Sequence, residues 1–226
     1  MLLLALAAAL EAAPRQSRAQ ADLLRHPTAA ALATAGPDSF SVRMYTAKGM
    51  FTVQVRRAWA PRGADRFFHL IRARYYDRIT FFRVIPNYVA QAGFHADPAV
   101  NAAWDPFRIK DDPVAKPNKA GTVSFATQGA NTRGTQIFVN LADNANLDAR
   151  GFSPFGEVVE GMDVVKSLYS GYGENFPRGD GPRQERIMFE GNAYLRKEFP
   201  KLDSVDSARI AERWPAAKGA AKPPNR

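Results

Sequence analysis

The chain has 226 residues, a formal net charge of +9, 16 glycines, 16 prolines and no cysteine, a length suited to one domain with appendages. The missing cysteine excludes a disulfide framework, Cys-ligated zinc, iron–sulfur clusters and a thiol nucleophile. His26, His69 and His95 have no mutual metal-ligand spacing, so chemistry without a metal or cofactor is expected. Basic residues are dispersed among acids from Arg56 to Lys119, which predicts a solvated basic surface and no nucleic-acid partner.

Leu2 to Leu10 is an uninterrupted apolar run, followed by a polar, small-residue stretch ending Ala19-Gln20-Ala21. This is the pattern of a signal peptide over 1–21 with cleavage after Ala21, too short to span a bilayer. It predicts an exported protein, periplasmic or secreted, with no membrane span in the mature chain; a cytoplasmic location is the alternative. Residues 22–38 are Ala-rich and end in Gly36-Pro37-Asp38, which reads as a flexible lead-in. Alternation over 41–46 and 50–55 about Lys48-Gly49 predicts a hairpin. Pro61 opens a helix with Phe67, Leu70 and Ile71 on one face, closed by Tyr75-Tyr76, and His69 within it reads as a bystander.

Further strands are expected over 80–85, 88–94, 121–126, 136–141 and 155–159, with a polar connection over 95–120 and a second helix over 161–169. In the first of these, alternation puts Phe82 and Val84 on one side and Phe81, Arg83 and Ile85 on the other. Residues 171–202 form an appendage holding a helical segment from Gln184 to Phe199, before a closing strand over 204–210 and a disordered tail over 212–226. Many short strands with few helices predict an antiparallel β-barrel with helices at its ends. Two tempting motifs carry no chemistry. Gly171-Tyr172-Gly173 lacks the third glycine of a dinucleotide loop, and Asp111-Asp112 reads as solvated loop charge.

The segments Phe-Phe-Arg-Val-Ile-Pro at 81–86, Gln91-Ala92-Gly93, the run from Gly121 to Phe138, Leu147-Asp148 and Phe155 to Val165 together resemble the cyclophilin family of peptidyl-prolyl isomerases. The resemblance runs in order from about residue 40 to 169 and places a domain over 39–211, the 171–202 segment being an insertion before the last strand, as in some bacterial members. It implies a closed eight-stranded antiparallel barrel capped by two helices. It also implies rotation about Xaa–Pro bonds in Pro-containing polypeptides, a role in protein folding, and a monomer. Arg83 matches the catalytic arginine of the family. Tyr88, Val89, Phe138 and Leu147 match its proline pocket, Gln91 and Gln136 its substrate-side glutamines, and Ala126, Thr127 and Gln128 its backbone-binding segment. Phe152 stands where a pocket histidine is common, which implies a more apolar pocket, and Asn146 where many members offer cyclosporin a tryptophan. The same groove would also serve a non-catalytic module or chaperone that holds proline segments.

Overall fold

The computed structural model describes residues 17–214. Strands β1 (Ser39–Thr46) and β2 (Gly49–Arg56) form the expected hairpin. Their alternation is the reason: Phe40, Val42, Met44, Phe51, Val53 and Val55 are buried, while Arg43 and Tyr45 are exposed. The other strands are β3 (Arg83–Ile85), β4 (Val89–Ala92), β5 (Thr122–Phe125), β6 (Ile137–Asn140), β7 (Pro154–Glu160) and β8 (Val205–Trp214). All pair antiparallel in one sheet, in the order β3-β4-β6-β5-β7-β2-β1-β8.

The eight antiparallel strands agree with expectation, but the ladder is an open half-barrel rather than a closed barrel. Its edges are β3 and β8, and the segments leading into them meet through one isolated bridge, Thr80 to Ser204. Flanking bonds run from Arg78 N–H to Val205 O (2.7 Å), Val205 N–H to Ile79 O (2.8 Å) and Phe81 N–H to Asp203 O (2.9 Å). The ladder breaks because Phe81 and Phe82 leave regular strand geometry. Phe81 and Val84 both enter the main core, while Phe82 packs with Ile187, Tyr194 and Leu195 in a satellite core. The expected alternation, with Phe82 and Val84 sharing a side, therefore fails.

Helix α3 (Pro61–Arg72) buries Phe67, Leu70 and Ile71, with the Phe67 ring 4.9 Å from that of Phe155. Its first turn has no capping side chain of its own. Asp112 does that work from 50 residues away: its carboxylate accepts Arg62 N–H (3.1 Å) and Gly63 N–H (2.8 Å). It is thus a buried carboxyl group and not the solvated loop charge its sequence context implied. The second predicted helix is α5 (Met162–Lys166).

Two regions read as irregular are ordered. The 95–120 connection contains helix α4 (Pro98–Trp104), capped by the Asp97 side chain on Ala99 N–H (2.9 Å) and buried through Val100 and Trp104. The lead-in over 22–38 carries helices α1 (Arg18–Arg25) and α2 (Ala29–Leu32). Ser17 and Gln20 close a reciprocal capping box on α1, Leu24 is buried, and Trp104 Nε1 donates to Leu24 O at 2.9 Å. The bond after Ala21 lies inside α1, while the apolar run over 2–10 lies outside the described residues. At the other end β8 reaches Trp214, so residues 212–214 of the expected tail are strand, and 215–226 lie outside the described residues. The helical part of the appendage is α6 (Gln184–Glu198), as expected, with a break at Gly191.

Two buried imidazoles set the acid behaviour of this core. His69 bonds Thr34 O at 2.8 Å and His95 accepts Asp97 N–H at 3.0 Å; burial is the main cause holding both below the ordinary 6.5. The unfolded chain therefore takes up these protons before the folded one does. The stability they confer is complete above about pH 6.5 and is lost as pH falls below it. Melting temperature is expected to fall between about pH 7 and pH 5, and a His69→Gln, His95→Gln double variant to show a shallower fall. Equal slopes in the two proteins would remove these histidines from the account.

Candidate functional site

The β3–β4 hairpin is made by Ile85-Pro86-Asn87-Tyr88, with Tyr88 N–H donating to Ile85 O at 3.0 Å. Proline presets the second position and Asn87, at φ 58°, takes the left-handed third position that such a tight turn requires. That turn fixes the register, in which Arg83 lies opposite Gln91 and Gln91 opposite Phe138 on the next strand. Period-2 alternation then divides the strands. Ala90, Ala92, Ile137 and Val139 enter the main core, while Val89, Gln91 and Phe138 face the other way.

Arg83 is the polar centre of this face. Its Nη1 donates to Gln91 Oε1 at 3.1 Å, and Gln91 Nε2 donates to Gln136 Oε1 at 2.9 Å. On its other flank, Nε and Nη2 donate to the two oxygens of Glu174 at 2.5 and 2.7 Å. The Tyr88 ring centre is 5.6 Å from the guanidinium carbon. The Arg83 side chain keeps 14% of its surface exposed, so it is fixed yet reachable from solvent. The Arg83 hydrogen bonds hold the Glu174 carboxyl below its usual 4.5, with the Asn175 N–H adding to this and burial opposing it.

Beside this charge lies a small apolar cluster separate from the main core: Val89, Phe138, Leu147 and Phe152, with Tyr88 and Ala126 against it. Phe138 and Phe152 meet nearly edge to face, their ring centres 5.5 Å apart. Leu147 closes a short 3-10 turn (Ala145–Leu147) that also carries the exposed Asn146. Buried amides brace the wall: Asn118 Nδ2 donates to Asp148 Oδ1 and to Phe152 O, each at 2.8 Å, and Asn144 Nδ2 donates to Tyr88 O at 2.9 Å. Ala126 N–H donates to Gln136 O at 2.9 Å, which seats it at the margin of this cluster. Gln128 is exposed and its N–H is already spent on Thr132 Oγ1 at 2.9 Å, while Thr127 Oγ1 lies 2.8 Å from the same hydroxyl. Main-chain binding over 127–128 would therefore use groups other than the Gln128 N–H.

The arrangement joins Arg83, Tyr88, Val89, Gln91, Ala126, Gln136, Phe138, Leu147 and Phe152 in one patch, with Thr127 and Gln128 on the loop at its rim. Sequence reasoning missed Glu174. It lies 91 residues from Arg83 in a Gly-rich loop, and no local spacing ties the two together. Among the described residues no group of three or more His, Cys, Asp or Glu is placed to hold a metal ion, and no helix is long and apolar enough to cross a membrane. What the patch offers is a charged planar donor at the edge of an apolar cluster. That suits a substrate with one apolar ring and one polar atom gaining electron density.

Comparison with known proteins agrees. Residues 41–188 match the family model for cyclophilin type peptidyl-prolyl cis-trans isomerase/CLD. The peptidyl-prolyl cis-trans isomerase CYP18-2 of Arabidopsis thaliana is 33% identical over 143 residues, covering 61% of this chain and 85% of that protein. Among solved structures, a cyclophilin type peptidyl-prolyl cis-trans isomerase of Cryptosporidium parvum superposes with a TM-score of 0.57 at 17% identity, covering 77% of this chain and 99% of the other. The cyclophilin AquaCyp293 of Hirschia baltica gives 0.56 at 20% identity, covering 78% and 76%. The fold and the matched family model agree: this chain belongs to the cyclophilin-type peptidyl-prolyl cis-trans isomerases.

Proposed function

We propose that Arg83 is the group that accelerates the reaction, by donating to the prolyl nitrogen as the amide twists. The uncatalysed barrier of about 18–20 kcal/mol is amide resonance, which keeps the nitrogen lone pair in the C–N π system. At the twisted state the lone pair is released onto a pyramidal nitrogen. A donor aimed there interacts with the transition state and hardly with either ground state, the condition for raising the rate. The observation that supports this reading is the guanidinium held between Glu174 and Gln91 beside the Val89–Phe138–Leu147–Phe152 apolar cluster, which we read as the seat of the proline pocket. The proline ring occupies that pocket, and Gln91 and Gln136 steady the flanking backbone. Prolyl-peptide isomerisation by wild type and Arg83→Ala tests the assignment.

The pocket makes a separate prediction. Burying an aromatic side chain's worth of contact contributes roughly 1.5–3 kcal/mol. Phe138→Ala is therefore expected to raise KM by about ten- to a hundredfold while kcat changes less. A loss confined to kcat would place Phe138 elsewhere in the mechanism.

The enzyme acts, in this reading, on Pro-containing segments of folding polypeptides, as an exported monomer. Export rests on the apolar run over 2–10, and processing after Ala21 has to precede formation of α1, since that bond lies within the helix. Leu24, which carries the contact to Trp104, remains on the product. N-terminal sequencing of the protein recovered from outside the cytoplasm should begin at Asp22, and Met1 on the mature protein would overturn export. A sedimentation mass of one chain would support the monomer.

A further inference from the structure

Glu174 sits in a loop whose geometry is built around it. Its carbonyl accepts Gly181 N–H at 2.9 Å, and Gly179 passes so near that a Cβ there would lie 2.5 Å from the same oxygen. Its Oε1 accepts Asn175 N–H at 2.9 Å as well as the Arg83 Nε–H. Behind the loop, Tyr169, Tyr172, Phe199 and Tyr194 form a chain of edge-to-face rings with successive centres 5.1, 5.0 and 5.5 Å apart, running onto α6. Helix α6 then buries Ile187, Tyr194 and Leu195 against Phe82, the neighbour of Arg83. The appended segment thus grips the start of β3 twice, through the apolar Phe82 just before the strand and through the charge of Arg83.

We propose that Glu174 is a positioning residue for the isomerase and that the appended segment serves as its mount. The proposal rests on Arg83 being the transition-state donor. A guanidinium has five N–H bonds. Glu174 takes those on Nε and one on Nη2, and Gln91 takes one on Nη1, which leaves one each on Nη1 and Nη2 for substrate. A long side chain on a three-residue edge strand would otherwise lose its rotameric freedom at each turnover. Bidentate pairing removes that loss in advance and fixes the plane of the fork. The carboxylate also offsets part of the positive charge. Coulomb energy falls inversely with distance, so a donor touching the prolyl nitrogen outweighs a carboxylate bonded along another edge of the same guanidinium.

The test compares full-length wild type, Glu174→Ala, Glu174→Gln and Arg83→Ala in a prolyl-peptide assay, with and without added acetate. Glu174→Ala is expected to lose about tenfold in kcat/KM, carried by kcat with KM nearly unchanged. Acetate should restore part of that kcat and do nothing for Arg83→Ala. Glu174→Gln, which keeps the shape and one acceptor, should fall between wild type and Glu174→Ala. It decides the matter if circular dichroism shows the alanine variant unfolded. A Glu174 variant as active as wild type, or more active, overturns the proposal, because the carboxylate then idles or competes with substrate. A loss seen only in KM overturns it too. Full activity in Arg83→Ala would instead remove the donor assignment on which it rests.

Discussion

Arg83→Ala is expected to lower kcat/KM by about two to three decades, the cost of about 2.7–4 kcal/mol found when a preorganised donor to a transition-state charge is deleted. Two features of the site shape how that loss should be read. Removing the guanidinium leaves the Glu174 carboxylate, 27% exposed, with the Asn175 N–H but without its arginine, so some stability is lost as well. A double variant that also removes Glu174 should recover that stability but none of the rate. Arg83→Lys separates charge from geometry. Lysine keeps the charge as a point on a flexible stem but cannot span both Glu174 oxygens and Gln91 from one rigid plane. It should remain well below wild type. If Arg83→Ala instead retains wild-type kcat/KM while still binding peptide, the twisted amide is stabilised by something other than this donor.

How much of this was legible in the chain depends on distance along it. Arg83, Gln91 and Phe138 were readable because they lie on short strands paired edge to edge. The Pro86-Asn87 turn fixes the first register, and alternation assigns the faces. The separate apolar cluster followed, because Val89 and Phe138 face opposite to the core residues beside them. What failed did so where a remote element overrides local pattern. Phe82 looked like a partner of Val84 until α6, more than 100 residues later, supplied a second core for it. Asp112 looked solvated because the helix it caps begins 51 residues earlier, at Pro61. Helix α4 is only seven residues long and begins at a proline, so its Asp97 cap was masked by loop-like composition. The Ala-rich lead-in is held by remote contacts, Leu24 O accepting from Trp104 Nε1 80 residues away. Glu174 belongs to the same class: a carboxylate in a glycine-rich loop has no local signature of the arginine it will meet.

Gly93→Ala is expected to damage both the fold and the site. Gly93 is buried at φ +128°, directly after β4, and a Cβ there would lie 2.4 Å from the Gln136 Cα and 2.5 Å from Thr135 O. Those are backbone atoms, so no side chain can swing aside. Thr135 Oγ1 also donates to Gly93 O at 2.8 Å, which ties the two segments where the clash would fall. Forcing an L-residue into this region costs about 1–2 kcal/mol, and the overpacking about 1–3 kcal/mol more. Taken together, about 3 kcal/mol or more should lower the melting temperature by roughly 6–12 °C in a chain of this size. The catalytic consequence follows from what must move. Pushing the 135–136 backbone away carries Gln136 off Gln91, and Gln91 then loses one of the two bonds that hold it against Arg83. A displacement of this kind is expected to cost about tenfold in kcat/KM, measured well below the new melting temperature. Gln136→Ala removes the same link without the clash, so it should reproduce the rate loss but not the fall in melting temperature. A Gly93→Ala enzyme that melts early yet turns over at the wild-type rate would show that Gln136 does not transmit its position to the arginine.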